Sequence, residues 1–404
     1  MSLAPFQHVL RLPRVRPLMM LMLLARIPPT AAGVTMTLHV AVTLDRGYGA
    51  AGLAGMAITV GIGVGSPLMG WLIDRRGLRF MLILSVVCET TFWLFAPLMS
   101  YWVLLVVGFV AGVACLPVMS IGRQAITALV PVDQRRTAFS LDSISVELSF
   151  MVGPALGVLV ATRVSTGAAL VAIGLGVLAS GVLLFFVNPP LVHEDEPVEG
   201  PHPSRRAWIT GPLVATLVVA AGAVFTLGGM EVAIVASLER VGQASWIGLV
   251  FIVMCAASIV GGLIYGSLKR APGQVALMAM LAALAIPVGL ADGDWLLIAI
   301  ALIPMNVMCS PTIAATSERI TGLVPPAVRG EALGLHGSAF TFGAAAGGPV
   351  AGFAIDHGGP AMGFAVAGVG GLLLALLAHL LQRREPSGGF GHVLGGVGER
   401  EAGA

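Results

Sequence analysis

The stretch Gly70-Trp71-Leu72-Ile73-Asp74-Arg75-Arg76-Gly77-Leu78-Arg79 joins two long apolar segments, 49–73 and 80–99. Glycine near both ends lets two helices turn tightly or approach closely, and the Asp-Arg-Arg core needs water or protein partners at a membrane face. The pattern predicts a short charged hairpin between two membrane-spanning helices.

The rest of the chain fits that reading. Of 404 residues, 57% are hydrophobic and 10% charged, a balance that excludes an ordinary soluble domain. Mean hydropathy is +0.95. Apolar runs long enough to cross a bilayer lie at 17–44, 49–73, 80–99, 101–130, 137–162, 166–187, 209–238, 244–268, 272–291, 294–321, 330–356 and 360–381. With the N-terminus assigned to the cytoplasm, 18 of the 22 basic residues fall on the cytoplasmic side. Only Arg46, Arg163 and Arg240 fall outside, and Arg26 lies within a helix. This is the asymmetry of the positive-inside rule, and it predicts both termini in the cytoplasm. The first run is too long for a secretory signal and is expected to be an uncleaved helix. Cys88, Cys115, Cys255 and Cys309 sit inside apolar runs, as small hydrophobes rather than a disulfide or metal framework. Arginine outnumbers lysine 21 to one, which points to a GC-rich genome and a bacterial inner membrane.

The two halves repeat. Leu44-Asp45-Arg46 returns as Leu238-Glu239-Arg240, Cys115-Leu116-Pro117 as Cys309-Ser310-Pro311, and Ile126 to Pro131 as Ile320 to Pro325, all at an offset of 194. Gly153-Pro154 returns as Gly348-Pro349, and the opening hairpin returns degraded as Gly266-Ser267-Leu268-Lys269-Arg270. This predicts six-helix halves at 10–187 and 208–385. Between them a polar, proline-rich linker spans 188–207, with Glu194-Asp195-Glu196, Pro197 and Pro201, and a disordered tail is expected over 386–404.

The opening stretch resembles the loop signature Gly-x-Leu-x-Asp-Arg-x-Gly-x-Arg of the major facilitator superfamily, with all six defining positions filled. The resemblance implies an all-α membrane protein of twelve helices in two pseudo-symmetric halves, working by alternating access. It implies that Asp74 pairs across the interface between halves. Gly70, Asp74, Arg75, Gly77 and Arg79 would then form a cytoplasmic gate motif. Gly153-Pro154-Ala155-Leu156-Gly157 is similar to the helix-5 element of bacterial drug–proton antiporters, which implies a kink there and export. Phe150, Met151 and Val158 depart from that element. The antiporters' helix-4 arginine pattern is also missing, since Gly108-Phe109-Val110-Ala111-Gly112 stands in its place.

Ionisable residues deep in the membrane are costly and mark functional candidates. Arg26, Glu147 and Glu89 each lie nine or ten residues from the cytoplasmic end of their helices, roughly 13–15 Å deep. Depth matching makes Arg26 a charge partner for Glu147 or Glu89, as a proton-sensitive switch or as a fixed structural pair. Asp142 is expected within reach of Arg123 or Arg136. Glu231 stands roughly 12 Å from the external end of its helix, and His39 lies near that level. The two would share a cavity and bind protons or a cationic substrate, unless Glu231 is simply bonded to a neighbouring hydroxyl such as Thr37. Glu331 and His336 read as rim residues. Ile27-Pro28-Pro29 predicts a kink or unwound segment in the first helix.

Eighteen methionines read chiefly as packing, with a minority lining a pliable apolar cavity. No phosphate loop, metal-spaced Cys/His set or nucleophile elbow is present, so no enzyme and no cofactor are expected, with a proton gradient as the energy source. The expected partners are a small-molecule substrate and the lipid bilayer, with no nucleic acid, and the chain is expected to be a monomer. Proton-coupled efflux of amphiphilic or hydrophobic small molecules is the leading expectation. An importer or facilitator of a metabolite, and a non-transporting membrane sensor, stand as alternatives.

Overall fold

In lipid, a backbone must satisfy its own N–H and C=O groups, and a helix does so within one segment. The computed structural model describes residues 4–192, 203–268 and 270–383, and the regular structure among them is helical. Twelve helical stretches are long and apolar enough to cross a membrane. In chain order they are Val15–Thr43, Ala50–Arg76, Leu78–Leu98, Tyr101–Leu129, Val132–Arg163, Thr166–Val187, Gly211–Arg240, Ala244–Ser267, Gln274–Ala291, Trp295–Leu323, Pro326–Gly358 and Pro360–Arg383. They are referred to below as the first to twelfth spans. The face bearing the Asp74 hairpin is termed the inner face, and the opposite one the outer.

The first span packs on the fifth, the seventh on the eleventh and twelfth, and the second on the eleventh. The repeat is visible in these contacts. Gly153 on the fifth span lies directly on Thr30 of the first, and Gly347, 194 residues on, lies directly on the Phe225 carbonyl of the seventh. A side chain at either glycine would collide, so small residues set the spacing between helices. Gly157 meets the Thr35 hydroxyl in the same seam, where an added Cβ would stand 2.6 Å away. The helix-5 element Gly153, Pro154 and Gly157 therefore builds a close helix contact, inside one continuous helix Arg135–Arg163.

Several local expectations are corrected. The first span does not unwind at Pro28-Pro29, because the helix runs through Val15–Leu38 and Pro28 packs on Gly176 of the sixth span. Its irregular part is a π-helical turn at His39–Thr43. The fourth and tenth spans are the broken ones, each divided at the repeated Cys-x-Pro region: Tyr101–Val113 and Val118–Leu129, then Trp295–Val307 and Cys309–Leu323. Two short elements flank the bundle. An N-terminal helix, Ala4–Arg11, buries Phe6 and Val9 at the inner face. Helix Arg205–Trp208 ends the expected linker by burying Trp208 among Leu213, Ile320 and Val324. The acidic and proline-rich part of the linker, Glu194 to Pro201, and the tail 386–404 lie outside the described residues.

Candidate functional site

At the inner face the Asp74 carboxylate accepts backbone N–H groups from Gly330 at 3.0 Å and Glu331 at 2.8 Å, the first amides of the eleventh span. A helix N-terminus presents unpaired donors and a partial positive charge, so it suits a carboxylate. Gly70 and Gly330 make this approach possible, since their backbones touch. The arginines of the hairpin do not cross to the last six spans: Arg75 stacks on Trp71, Arg76 on Phe80 and Arg79 on Phe185. Gly77, at φ 81°, supplies the positive φ of the turn. Arg205 donates to Glu331 at 2.6 Å.

The second seal lies between the fifth and eighth spans. The Thr137 hydroxyl donates to the Gly266 carbonyl at 2.6 Å, and Arg136 donates to the Leu268 carbonyl at 3.2 Å. Phe6 of the N-terminal helix wedges against Gly266 beside Ser140. Nearer the other face of the same two spans, Gly52, Gly55 and Gly352 have no neighbour within reach of an added Cβ.

Beneath the seals runs a buried polar chain. Arg26 reaches Asp142 with Nη2 to Oδ1 at 2.5 Å, and also contacts Ser145. Asp142 Oδ2 lies 3.7 Å from Arg123 Nε. Arg123 Nη1 then meets His336 Nδ1 at 3.0 Å, and His336 Nε2 meets Thr316 Oγ1 at 3.0 Å. This corrects two expectations and meets a third. The partner of Arg26 is Asp142, not Glu147 or Glu89. Asp142, expected beside Arg123 or Arg136, is paired with Arg123, and it is buried. His336 and Glu331 are buried interface residues at 0% and 6% exposure, not rim residues. Arg123 sits inside the fourth span and is also buried.

Glu89 caps the break in the fourth span: its carboxylate accepts the Leu116 N–H at 2.9 Å and faces the Cys115 thiol. His39 is likewise internal to the first six spans, its Nδ1 3.0 Å from the Thr166 hydroxyl. It does not face Glu231 across a cavity, because the π-turn carries it against the sixth span. Thr37 is engaged by the Gly33 carbonyl and not by Glu231.

Two carboxylates remain. Glu147, on the fifth span, accepts from Ser258 of the eighth at 2.7 Å and from the thiols of Cys309 and Cys255. It thus sits where the fifth, eighth and tenth spans meet. Glu231, on the seventh span, is exposed and lies within electrostatic reach of Glu147 and Cys255. Among the described residues neither carboxylate has a basic partner. No set of three or more His, Cys, Asp or Glu among these residues is placed to hold a metal ion. A cleft of about 490 Å³ at the inner face, lined by Arg135, Gln274 and Glu318 among others, contains neither carboxylate.

The sequence matches the Major Facilitator Superfamily over residues 18–291 and again over 213–393. The chain belongs to the major facilitator superfamily. A comparison with curated proteins matches none of them. Solved structures of superfamily transporters share the fold. The human organic anion transporter MFSD10 is 18% identical, with a TM-score of 0.72 over 91% of this chain and 100% of its own. A bacterial homologue of the iron transporter ferroportin, in an outward-facing state, is 16% identical, with a TM-score of 0.74 over 92% of this chain and 99% of its own. The proton:xylose symporter XylE is 13% identical, with a TM-score of 0.70 over 91% and 95%. Identities this low establish the fold alone. Membership of the superfamily and the twelve candidate spans make this chain a multi-pass membrane transporter, and the choice of substrate rests on its own residues.

Proposed function

We propose that this chain exports amphiphilic, preferably cationic, small molecules from a bacterial cell in exchange for protons, by alternating access. Both termini then lie in the cytoplasm, and the proton gradient is the energy source. One observation carries the reading: Glu147 is held where the fifth, eighth and tenth spans meet, Glu231 lies within electrostatic reach of it, and neither has a basic partner among the described residues. Two carboxylates so placed are costly when both are ionised, and a bound proton or an organic cation relieves that cost. The same pair thus serves proton and substrate in turn, which is what exchange requires. Met230, Met254 and Met305, buried in the adjoining apolar cluster, give the packing behind these carboxylates a pliable character that suits accommodation of varied apolar ligands. Closed junctions at the inner face suit a state that takes up protons from outside and releases substrate there.

The test is internal pH in proteoliposomes as lipophilic cations are added, with the native chain, Glu147→Gln and Glu231→Gln. Substrate-dependent proton flux that falls at least about tenfold in each variant supports the reading, a loss of about 1.4 kcal/mol of coupling. Flux that survives both substitutions removes the pair from the coupling path.

A further inference from the structure

Arg123 and His336 face each other across the junction between the first six and last six spans, with Nη1 3.0 Å from Nδ1. Both side chains are buried. A guanidinium carries donors only, so His336 Nδ1 is the acceptor and bears no proton. The ring proton is therefore on Nε2, where it is donated to Thr316 Oγ1 at 3.0 Å. Thr316 gives its own hydrogen to the Ile313 carbonyl at 2.8 Å, which leaves its oxygen free to accept. The chain of donors is complete, and the imidazole in it is neutral. A further proton has one place to go, Nδ1, where it would turn the acceptor into a donor aimed at a cation.

The surroundings offer that proton no compensation. From the first six spans, Arg123 faces the ring directly, with Arg26 and Asp142 behind it, so two cations already share one carboxylate. Asp74, on the second span, is occupied by the Gly330 and Glu331 amides. On the same helix as His336, Glu331 is paired with Arg205. On the tenth span, Glu318 is paired with Arg136. The ionisable residues of the seventh span, Glu231, Glu239 and Arg240, stand in its outer half. The repeat adds an independent observation. His336 lies 194 residues after Asp142, the same offset that relates the conserved segments of the two halves. Arg123 is thus held between equivalent positions of the repeat, a fixed anion in the first half and a titratable base in the second.

We propose that His336 is a proton-binding site whose neutral form holds the inner face closed and whose protonated form releases it. Loss of the Arg123 bond separates the halves next to the Asp74 seal, so a proton arriving from the outer side favours inward opening. This rests on the alternating-access reading above and not on the class of substrate.

The experiment is hydrogen–deuterium exchange in lipid nanodiscs over 63–76 and 326–340, between about pH 8 and about pH 4, a range carried well below an ordinary imidazole because Arg123 opposes the proton. The native chain is compared at each pH with His336→Asn, whose Oδ1 can still accept from Arg123, and His336→Gln, whose amide N–H can still reach Thr316. Neither variant can take the proton, and comparison at one pH cancels the intrinsic chemistry of exchange. Exchange in the native chain is expected to rise about tenfold over either variant at the acid end. A variant that rises with the native midpoint, or a native chain that does not rise, overturns the proposal. Nitrogen-15 spectra of the native chain guard against a variant that does not fold: an Nε2–H tautomer must give way to imidazolium at the midpoint of the exchange change, and its persistence also overturns the proposal. Glu147→Gln is expected to keep the rise even where transport-coupled flux is lost, so this inference and the transport reading fail separately.

Discussion

The second and eleventh spans and the fifth and eighth spans close the same face of the molecule by opposite chemistry. In the first junction a carboxylate, Asp74, reaches the amides that open a helix, Gly330 and Glu331. In the second the polarity is reversed: side-chain donors on Thr137 and Arg136 reach carbonyls that end a helix, at Gly266 and Leu268. The internal repeat relates the two places, since the intact hairpin 70–79 corresponds to the degraded Gly266 to Arg270. Where the acid is lost, a helix C-terminus with its partial negative charge is left, and donors suit it. Phe6 adds an apolar wedge that the first junction lacks, a buried aromatic worth roughly 1.5–3 kcal/mol when fully covered. Degradation of the second hairpin therefore replaced one kind of seal with another. The first is charged and specific in direction, and the second is neutral and padded.

The sharpest way to break this arrangement is to remove the anion that lies behind both seals. Asp142→Asn leaves Arg26 and Arg123 buried with no carboxylate between them. Removing one member of a buried ion pair costs about 3–5 kcal/mol. The expected outcome is the largest fall in thermal unfolding temperature of any single change in the network, with increased exchange at both junctions. An unfolding temperature within a degree or two of the native chain's would show that the two guanidiniums find other partners.

Asp142 also shows where the sequence was readable and where it was not. The twelve spans and their hairpin were legible, because hydropathy over a bilayer's thickness and the turn chemistry of Gly77 act locally along the chain. The azimuth of a side chain around its helix was not, so Arg26 could be matched by depth to Glu147 or Glu89 while its partner was Asp142. Burial at the inner end was hidden for another reason. Asp142 and His336 lie near helix ends, which reads as exposure for a lone helix, but here neighbouring helices close over them. The breaks were partly written in the chain. Pro117 and Pro311 follow the repeated cysteines, and in the fourth span Glu89 stands ready to accept the freed Leu116 amide. Pro28-Pro29 gave the stronger proline signal and no break, because Pro28 is seated on Gly176 and Thr30 ties the helix to the Ser149 carbonyl.

A smaller effect separates the first seal from the second. Asp74→Asn keeps an oxygen for one amide, but it presents an NH₂ group to the other and loses the charge that favours a helix N-terminus. Charge-assisted hydrogen bonds contribute about 1.5–3 kcal/mol. Exchange at Gly330 and Glu331 is therefore expected to rise by about tenfold or more, while the amides around Thr137 change little. Equal rises at both junctions would mean that the seals open as one unit and that their different chemistry has no separate consequence.

The complementary change is Thr137→Val, which removes the hydroxyl from the fifth–eighth junction at nearly constant volume. A neutral hydrogen bond contributes about 1 kcal/mol net, and the Gly266 carbonyl left behind adds the cost of an unsatisfied acceptor. Two features limit the loss. Arg136 still donates to Leu268, and Phe6 still fills the space against Gly266. The expected outcome is a rise of about fivefold in exchange near 262–268, with Gly330 and Glu331 unaffected, about 1 kcal/mol when read through the exchange ratio. A larger rise than that of Asp74→Asn would reverse the ranking. The padded seal would then be the one that holds the inner face, and the intact charged hairpin would serve chiefly to position the eleventh span.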